Sequence, residues 1–151
     1  MNLNNEEYII LELIPTAISP QKGDIAQLSA LKVNGIKIID RFDYRLDKDK
    51  IQIPAFLEML SYDNDKFTYK NTTQEILDDF LKWSDNKKLL IMDNLYTNNF
   101  LETIPNTKES IAKYLDMEYT DDFISKLITK YNLEESNYIV DLLYESLINM
   151  L

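Results

Sequence analysis

The chain contains no cysteine and no histidine among its 151 residues. The absence of cysteine excludes disulfide scaffolds, thiolate zinc sites and cysteine nucleophiles. The absence of histidine excludes serine–histidine dyads, HExxH metal sites and any imidazole base. The longest apolar runs, such as residues 89–92, are far shorter than the ~20 residues of a membrane span, and the acidic start MNLNNEEY is unlike a signal peptide. We therefore expect a soluble, cytoplasmic domain with no membrane association.

Positive charge is also scarce, because the formal net charge is −10 and the chain has two arginines, Arg41 and Arg45. Non-specific nucleic-acid binding depends on neutralising phosphates, so this balance favours partners other than nucleic acid. It does not exclude a metal-dependent nuclease, since bound cations add positive charge locally. Four lysines of the last third are interspersed with acidic residues, as on a solvated helical surface: Lys108, Lys113, Lys126 and Lys130.

The length and composition fit one folded domain over residues 1–151. An apolar fraction of 45% and a charged fraction of 28% are close to the average of globular proteins. A chain of this length can bury roughly 68–70% of the surface that its unfolded form exposes, which is enough for an independent core. We find no repeat, low-complexity tract or long linker that would divide the chain.

The first third predicts a three-stranded antiparallel meander over residues 7–45. Its strands are expected at residues 8–14, 25–33 and 36–44, and Asn34-Gly35 is a typical two-residue hairpin turn. The pattern then becomes helical from Pro54 onward. Further signals are a capping box at Thr72–Glu75, a buried strand at residues 89–92, and candidate helix N-caps in an otherwise helical last third at Asn106, Thr120 and Asn132. This order predicts an α/β fold with a mixed, ribonuclease H-like sheet flanked by helices.

Several segments resemble motifs of the DEDDh-type 3′–5′ exonuclease family, which includes the proofreading subunit of bacterial DNA polymerase III. The first is YIILELIPTAISP at residues 8–20, where the family has a hydrophobic strand followed by D-x-E-T-T-G. The resemblance continues through residues 23–42, where the family carries a very similar stretch of the type D-x-I-x-E-I-G-A-V-K-V…G-K-I-V-D-R-F, and through Ile53-Pro54, similar to the I-P segment after the third strand of the family. It ends with LIMDN at residues 90–94, similar to V-A-H-N, and SNYIVD at residues 136–141, similar to H-x-x-x-x-D.

The resemblance implies a site in which four carboxylates hold two divalent metal ions and a histidine acts as general base. This chain departs from the pattern at most of these positions, where it has Glu12, Ile14, Asn98, Ser136 and Asp141. Only Glu12 and Asp141 remain as carboxylates, so they are the residual candidates for metal ligands. Losing a positioned general base alone costs roughly 10²–10⁴ in rate. The resemblance therefore predicts a retained fold with a degenerate catalytic site.

Two residues are candidates to compensate for these losses. Tyr138 precedes Asp141 by three positions, and a related subgroup of the family uses a tyrosine base four positions before its aspartate. Asp93 stands where the family has the histidine of its H-N motif and would add a third carboxylate. The alternative is a packed aromatic on an amphipathic helix for Tyr138 and a polar residue at a strand end for Asp93. Neither would restore a ligand at Ile14.

Three functions follow from this pattern. The first, which we favour, is a catalytically inactive domain that acts through contacts with a protein partner or in a homo-oligomer and needs no cofactor. The second is a nucleic-acid-binding module, for which Tyr62, Tyr69 and Tyr96, in expected loops or at loop edges, would stack on bases. The third is an active or weakly active exonuclease on single-stranded nucleic acid that uses Mg²⁺ or Mn²⁺ despite the altered site. Enzymatic activity is thus left open, with its loss expected.

Overall fold

A mixed β-sheet forms the centre of the computed structural model, which describes residues 3, 5–60, 66–134 and 138–151. The strand order is β4-β3-β2-β1-β5-β6, with antiparallel pairs in the meander β1-β2-β3 and parallel pairs for β5 with β1, β4 with β3 and β6 with β5. The strands are Glu7–Pro15 (β1), Ile25–Asn34 (β2), Lys37–Leu46 (β3), Thr68–Lys70 (β4), Lys88–Ile91 (β5) and Lys108–Ser110 (β6). The predicted meander and the buried strand that follows it are confirmed.

Helices cover both faces of the sheet, and the alternation along β1 divides the core between them. Ile9 and Leu11 face a cluster that includes α2 and α3, whereas Tyr8 and Ile10 face a cluster that includes α4, α5 and α6. The helices are Pro54–Leu60 (α1), Thr73–Ser84 (α2), Leu95–Phe100 (α3), Ile111–Tyr114 (α4), Phe123–Tyr131 (α5) and Ile139–Met150 (α6), with a 3₁₀ turn at Lys48–Lys50. None of the helices in these described ranges has the length and apolarity needed to cross a membrane.

The last third is not purely helical, so that prediction is wrong. β6 is a strand of three polar residues that pairs with β5, and its sequence KES carries no alternating pattern that would indicate a strand. β4 is equally short and was not predicted. Both strands owe their conformation to a longer neighbour in the sheet rather than to their own residue preferences. The hairpin is also shifted by one residue, since its loop is Gly35-Ile36, with φ 66° at Gly35.

The predicted helix caps are right at one position and wrong at three. Thr72 caps α2 by accepting a hydrogen bond from the Glu75 N–H at 3.1 Å. Asn106 is buried between β5 and α2, where its amide donates to Ser84 and Lys87, so it caps no helix. The N-cap of α5 is Asp122 rather than Thr120. Asn132, a predicted N-cap, is instead the C-cap of α5, with a left-handed φ of 51°.

Candidate functional site

Charged residues alternate with aromatic residues along β3. Because successive side chains of a strand point to opposite faces, Phe42 and Tyr44 share one face, where their rings stack 3.9 Å apart. Phe42 packs there against Phe80 of α2. Arg41 and Asp43, with Arg45 two residues later, lie on the opposite face of the strand. This local alternation directs a row of charges toward the side of the sheet that α6 covers.

The strand register continues this row onto β1. Glu12 pairs with Ser29 of β2, which in turn pairs with Asp43 of β3, so the three side chains share one face. Asp141 is in the first turn of α6, the helix that packs against this part of the sheet. Six ionisable residues thereby come together, and we call them the ionic cluster: Glu12, Arg41, Asp43, Arg45, Lys66 and Asp141.

Arg41 is the residue of the ionic cluster that joins β3 to α6. Its Nη1 and Nη2 donate to the two carboxylate oxygens of Asp141 at 2.8 and 3.3 Å. Its Nε donates to Asp43 Oδ2 at 3.1 Å. The bidentate geometry is the strongest form of carboxylate recognition by a side chain. It raises the pKa of Arg41, chiefly through the hydrogen bond to Asp141, and so fixes the guanidinium in its charged form.

Glu12 is the most buried carboxylate of the ionic cluster, with 3% of its surface exposed. Burial raises the pKa of its side chain from an ordinary 4.5 to about 7, and the negative charge of Asp141 acts in the same direction. Gln27 opposes this shift, because its Nε2 donates to Glu12 Oε1 at 3.3 Å. The other side of that amide accepts a hydrogen bond from Arg45 Nε at 2.9 Å. Gln27 therefore links the carboxyl group of Glu12 on β1 to the guanidinium of Arg45 on β3.

Aromatic rings hold the two remaining cations of the ionic cluster. Arg45 Cζ lies 3.7 Å from the centroid of the Phe67 ring, and Lys66 Nζ lies 3.3 Å from that of Tyr138. Burial lowers the pKa of Lys66, while the nearby Asp43 acts against that shift. Tyr138 itself precedes α6 as its N-cap rather than lying on the helix. Its ring therefore packs against the ammonium group of Lys66, and its role as a general base stays a prediction.

The other family-equivalent positions lie at the edge of the ionic cluster, apart from it or outside the described residues. Ile14 pairs with Gln27 of β2, which pairs with Arg45 of β3, so Ile14 shares the face of the cluster, where it is half-buried against Ile51 and Leu60. Asn98 is exposed on α3, where its amide donates to Asp93 Oδ1 at 2.8 Å. Asp93 therefore accepts a hydrogen bond from α3, at a position just after the end of β5. Ser136 and the aromatic residue Tyr62 lie outside the described residues.

The two remaining tyrosines that were expected in loops lie in regular structure. Tyr69 is in β4 and Tyr96 is in α3, and both are half-buried. Burial raises the pKa of Tyr96, with smaller contributions from Tyr119 and Glu12. Tyr96 is the second residue of α3 and so lies at a loop edge, as expected, whereas Tyr69 is the middle residue of β4, a strand too short for sequence periodicity to detect.

The donor set of this face does not fit a pair of divalent metal ions. Within the described part of the chain, no group of three or more acidic side chains is arranged to hold a metal ion. Both oxygens of Asp141 accept hydrogen bonds from Arg41, and the buried Glu12 accepts a hydrogen bond from Gln27. A two-metal site requires several ionised carboxylates that are free to coordinate. The ionic cluster instead neutralises its acids with side chains of the same chain.

A groove of about 770 Å³ lies beside the ionic cluster, between β3 and α2. Its aromatic walls come from Phe42, Tyr44 and Trp83. Its described charged residues balance, with three bases and three acids: Arg41, Lys66, Lys82, Asp40, Asp43 and Asp79. A phosphate backbone requires an excess of positive charge, which this groove does not offer.

Sequence reasoning missed the residues that neutralise this face. The sequence motifs include Arg41 but predict no role for Asp43, Gln27 or Lys66, and Arg45 stands out only because arginine is scarce. The available signal was the segment R-F-D-Y-R, in which three charges occupy one face of a predicted strand. Charges on the covered face of a sheet need partners, so this alternation indicates an ion-pair network.

Curated proteins similar to this chain include two kinds of bacterial enzyme. The chain is 22% identical over 145 residues to the PolC-type DNA polymerase III of Staphylococcus epidermidis. This alignment covers 88% of this chain and 10% of that protein. It is 33% identical over 60 residues to the 3′-5′ exonuclease DinG of Bacillus subtilis. That alignment covers 39% of this chain and 6% of that protein. The chain thus spans a tenth or less of the length of these relatives. No protein-family model matches the sequence.

The fold has a counterpart among solved structures. The zinc-bound form of E. coli ExoI in a complex with single-stranded DNA aligns with a TM-score of 0.53 and 12% identity, over 97% of this chain and 40% of that chain. At this identity the likeness establishes the fold alone, an α/β, ribonuclease H-like architecture. Together with the curated relatives, it confirms that the chain resembles the DEDDh-type 3′–5′ exonuclease family in sequence and in fold.

Proposed function

We propose that this chain is a catalytically inactive exonuclease-like domain that acts through contacts with protein. The observation that carries the proposal is the bidentate pairing of Arg41 with Asp141, the one aspartate retained from the family pattern. A metal ion at Asp141 would have to displace a guanidinium that also binds Asp43. The positions equivalent to two further ligands are Ile14, which cannot coordinate, and Asn98, which is a weak neutral ligand.

The charge distribution supports protein rather than nucleic acid as the partner. The net charge of −10 and the balanced charges of the groove give no excess of positive potential for phosphates. Large aliphatic side chains are exposed at several places, including Met59 and Leu95, each 61% exposed. Aliphatic groups of this kind lose contact with water when another protein covers them, which favours association. The partner is then either a second copy of this chain or a different protein.

A nuclease assay tests the catalytic part of this proposal. We expect purified protein to leave single-stranded DNA and RNA undigested in the presence of Mn²⁺ or Mg²⁺. The matched control is the double variant Glu12→Ala, Asp141→Ala, which should give the same baseline. Digestion by the natural chain that disappears in the double variant would establish an active metal-dependent exonuclease and refute the proposal.

A binding measurement separates the two inactive alternatives. Fluorescence anisotropy with a labelled single-stranded oligonucleotide at low salt should detect no complex. Binding that weakens steeply with salt concentration would instead favour a nucleic-acid-binding module, because counterion release governs such complexes.

Sedimentation velocity over a range of protein concentrations then tests for a second copy as the partner. A concentration-dependent dimer would identify it, and a monomer at all concentrations would leave a different protein.

A further inference from the structure

β3 is much longer than β4, the strand beside it at the end of the sheet. β4 pairs with residues 44–46 of β3, and no strand in the described ranges lies beside residues 37–43 on that side. The groove of about 770 Å³ follows this stretch, since the consecutive residues 40–44 of β3 line it. Residues 37–43, which we call the open edge, therefore have room for a further strand.

A hydrogen bond of Arg41 shows which backbone groups point toward the open side. Its N–H donates to the side chain of Asp40 at 2.8 Å rather than to β2. In an antiparallel pair, alternate residues direct their backbone groups toward the partner strand and away from it. Arg41 and Asp43 thus direct theirs away from β2, as does Asp47, whose N–H donates to the carbonyl of Lys70 at 2.7 Å. An added strand would meet donors and acceptors of the kind that β4 uses.

The charges of the open edge suit a second copy of this chain. Its two bases and two acids cancel, whereas the whole chain has a formal net charge of −10, so surfaces elsewhere repel another copy more strongly. A base, Lys37, lies at one end of the open edge and an acid, Asp43, at the other. An antiparallel arrangement brings the basic end of one copy to the acidic end of the other, which favours pairing across strands.

Exposed aliphatic side chains lie at the same place. Ile39 is 44% exposed within β3, and Ile36 is 60% exposed in the hairpin loop that precedes this strand. A two-fold axis through the open edge would bring both isoleucines of each copy to one interface. Covering them removes apolar surface from water, which adds to the main-chain hydrogen bonds.

We infer that two copies of this chain associate by antiparallel pairing of their open edges, which joins two six-stranded sheets into one. The inference rests on the proposed function, because it names a second copy as the protein partner. Main-chain hydrogen bonds supply the affinity when a strand is added to an exposed edge. The irregular register of β3 opposite Lys32 and the bond between Asp40 and Arg41 oppose this pairing, so the dimer is reversible.

Sedimentation velocity of the natural chain and of Ile39→Lys tests this inference. The natural chain should form a dimer with a dissociation constant of roughly 1–500 μM. Ile39→Lys should weaken the dimer at least about tenfold, because a lysine places a charge on the edge and removes an apolar contact. The matched control is Ile18→Lys, which makes the same change of side chain and net charge at a position that is 48% exposed in the loop between β1 and β2. It should alter the dissociation constant less than about twofold.

Replacing Asp40 by Ala should change the dimer in the opposite direction. The substitution frees the Arg41 N–H for a partner strand and removes an acid from the middle of the open edge, where it would approach its own copy. The dissociation constant should fall by roughly threefold or more. A weaker dimer in Asp40→Ala would contradict the inference, since the bond of Asp40 to Arg41 would then not compete with association.

Two further results would overturn the inference. One is a natural chain that stays monomeric up to about 500 μM, and the other is a dimer that Ile39→Lys and Ile18→Lys weaken equally. If circular dichroism shows that Ile39→Lys is unfolded, amide hydrogen exchange of the natural chain decides. Slower exchange of the Asp43 N–H at high protein concentration supports the inference, and unchanged exchange rejects it. Digestion in the nuclease assay refutes the proposed function, whereas a monomer refutes only the second copy as partner.

Discussion

Replacing Glu12 by Gln is expected to stabilise the domain by about 1–3 kcal/mol at pH 8 and to change its stability little at pH 5. The physical reason is the burial of Glu12, whose surface is 3% exposed and whose pKa is raised to about 7. Glutamine has nearly the same shape as glutamate and carries no charge at any pH. The variant therefore avoids the free energy of ionising a carboxyl in this buried position.

The direction of the pH dependence follows from proton binding. Between the ordinary pKa of 4.5 and the folded value of about 7, the folded state binds this proton more tightly than the unfolded state does. Stability of the natural chain consequently falls as the pH rises through this window, and the loss is nearly complete at about pH 8. At about 1.4 kcal/mol per pKa unit the loss is about 3 kcal/mol. The amide of the variant needs new partners, which offsets roughly 1 kcal/mol of the gain.

Urea unfolding at several pH values between 5 and 8 measures this effect. The groups that act on Glu12 are Asp141, which raises its pKa, and Gln27, Lys66 and Arg45, which lower it. The matched control is Glu102→Gln, since this residue is exposed and its charge is solvated in both states. A difference in stability between Glu12→Gln and the natural chain that is the same at pH 5 and pH 8 would contradict the prediction.

The central part of the fold is readable from the sequence because its signals are local. Alternating apolar residues and a glycine-containing turn predict the meander, and the third strand was expected at residues 36–44, close to the observed Lys37–Leu46. The capping box before α2 is equally local, since Thr72 and Glu75 meet within one helical turn. Such patterns need no knowledge of the rest of the chain, which is why they survive in the folded structure.

Elements that depend on distant neighbours are not readable in this way. β4 and β6 have three residues each, and their conformation comes from parallel pairing with β3 and β5. Asparagine at position 106 has the residue type of an N-cap, yet its amide donates to Ser84 at the end of α2 and to the carbonyl of Lys87 just before β5. Residue preferences alone do not distinguish a cap from a buried hydrogen-bonding group, because the same short polar side chain suits both environments.

The same distinction holds for the candidate site, where some properties follow from residue types and others depend on contacts between distant residues. The absence of carboxylates at positions 14 and 98 can be read from residue types, since an alkyl group cannot coordinate a metal ion and a neutral amide is a weak ligand. The pairing of Arg41 with Asp141 could not, because the two residues are 100 positions apart and meet only when α6 packs on the sheet. What the folded chain adds is the identity of the positive charges that neutralise the remaining acids.

Replacing Gln27 by Leu is expected to cost about 2–4 kcal/mol of stability. Gln27 is 2% exposed, and its amide bridges Glu12 Oε1 at 3.3 Å and Arg45 Nε at 2.9 Å. Leucine fills a similar volume but leaves a buried acid and a buried base without this link. The loss should be larger at pH 8 than at pH 5, because Gln27 donates to the ionised carboxylate and lowers the pKa of Glu12.

The midpoint of urea unfolding at both pH values measures this loss against Gln52→Leu, which makes the same chemical change at an exposed position. The exposed substitution should stay within about 0.5 kcal/mol of the natural chain. A Gln27→Leu variant no less stable than Gln52→Leu would show that the bridge contributes nothing. A loss independent of pH would show that it acts through packing rather than through Glu12. Combining Gln27→Leu with Glu12→Gln should remove the extra loss at pH 8, because no ionised carboxylate then lacks its donor.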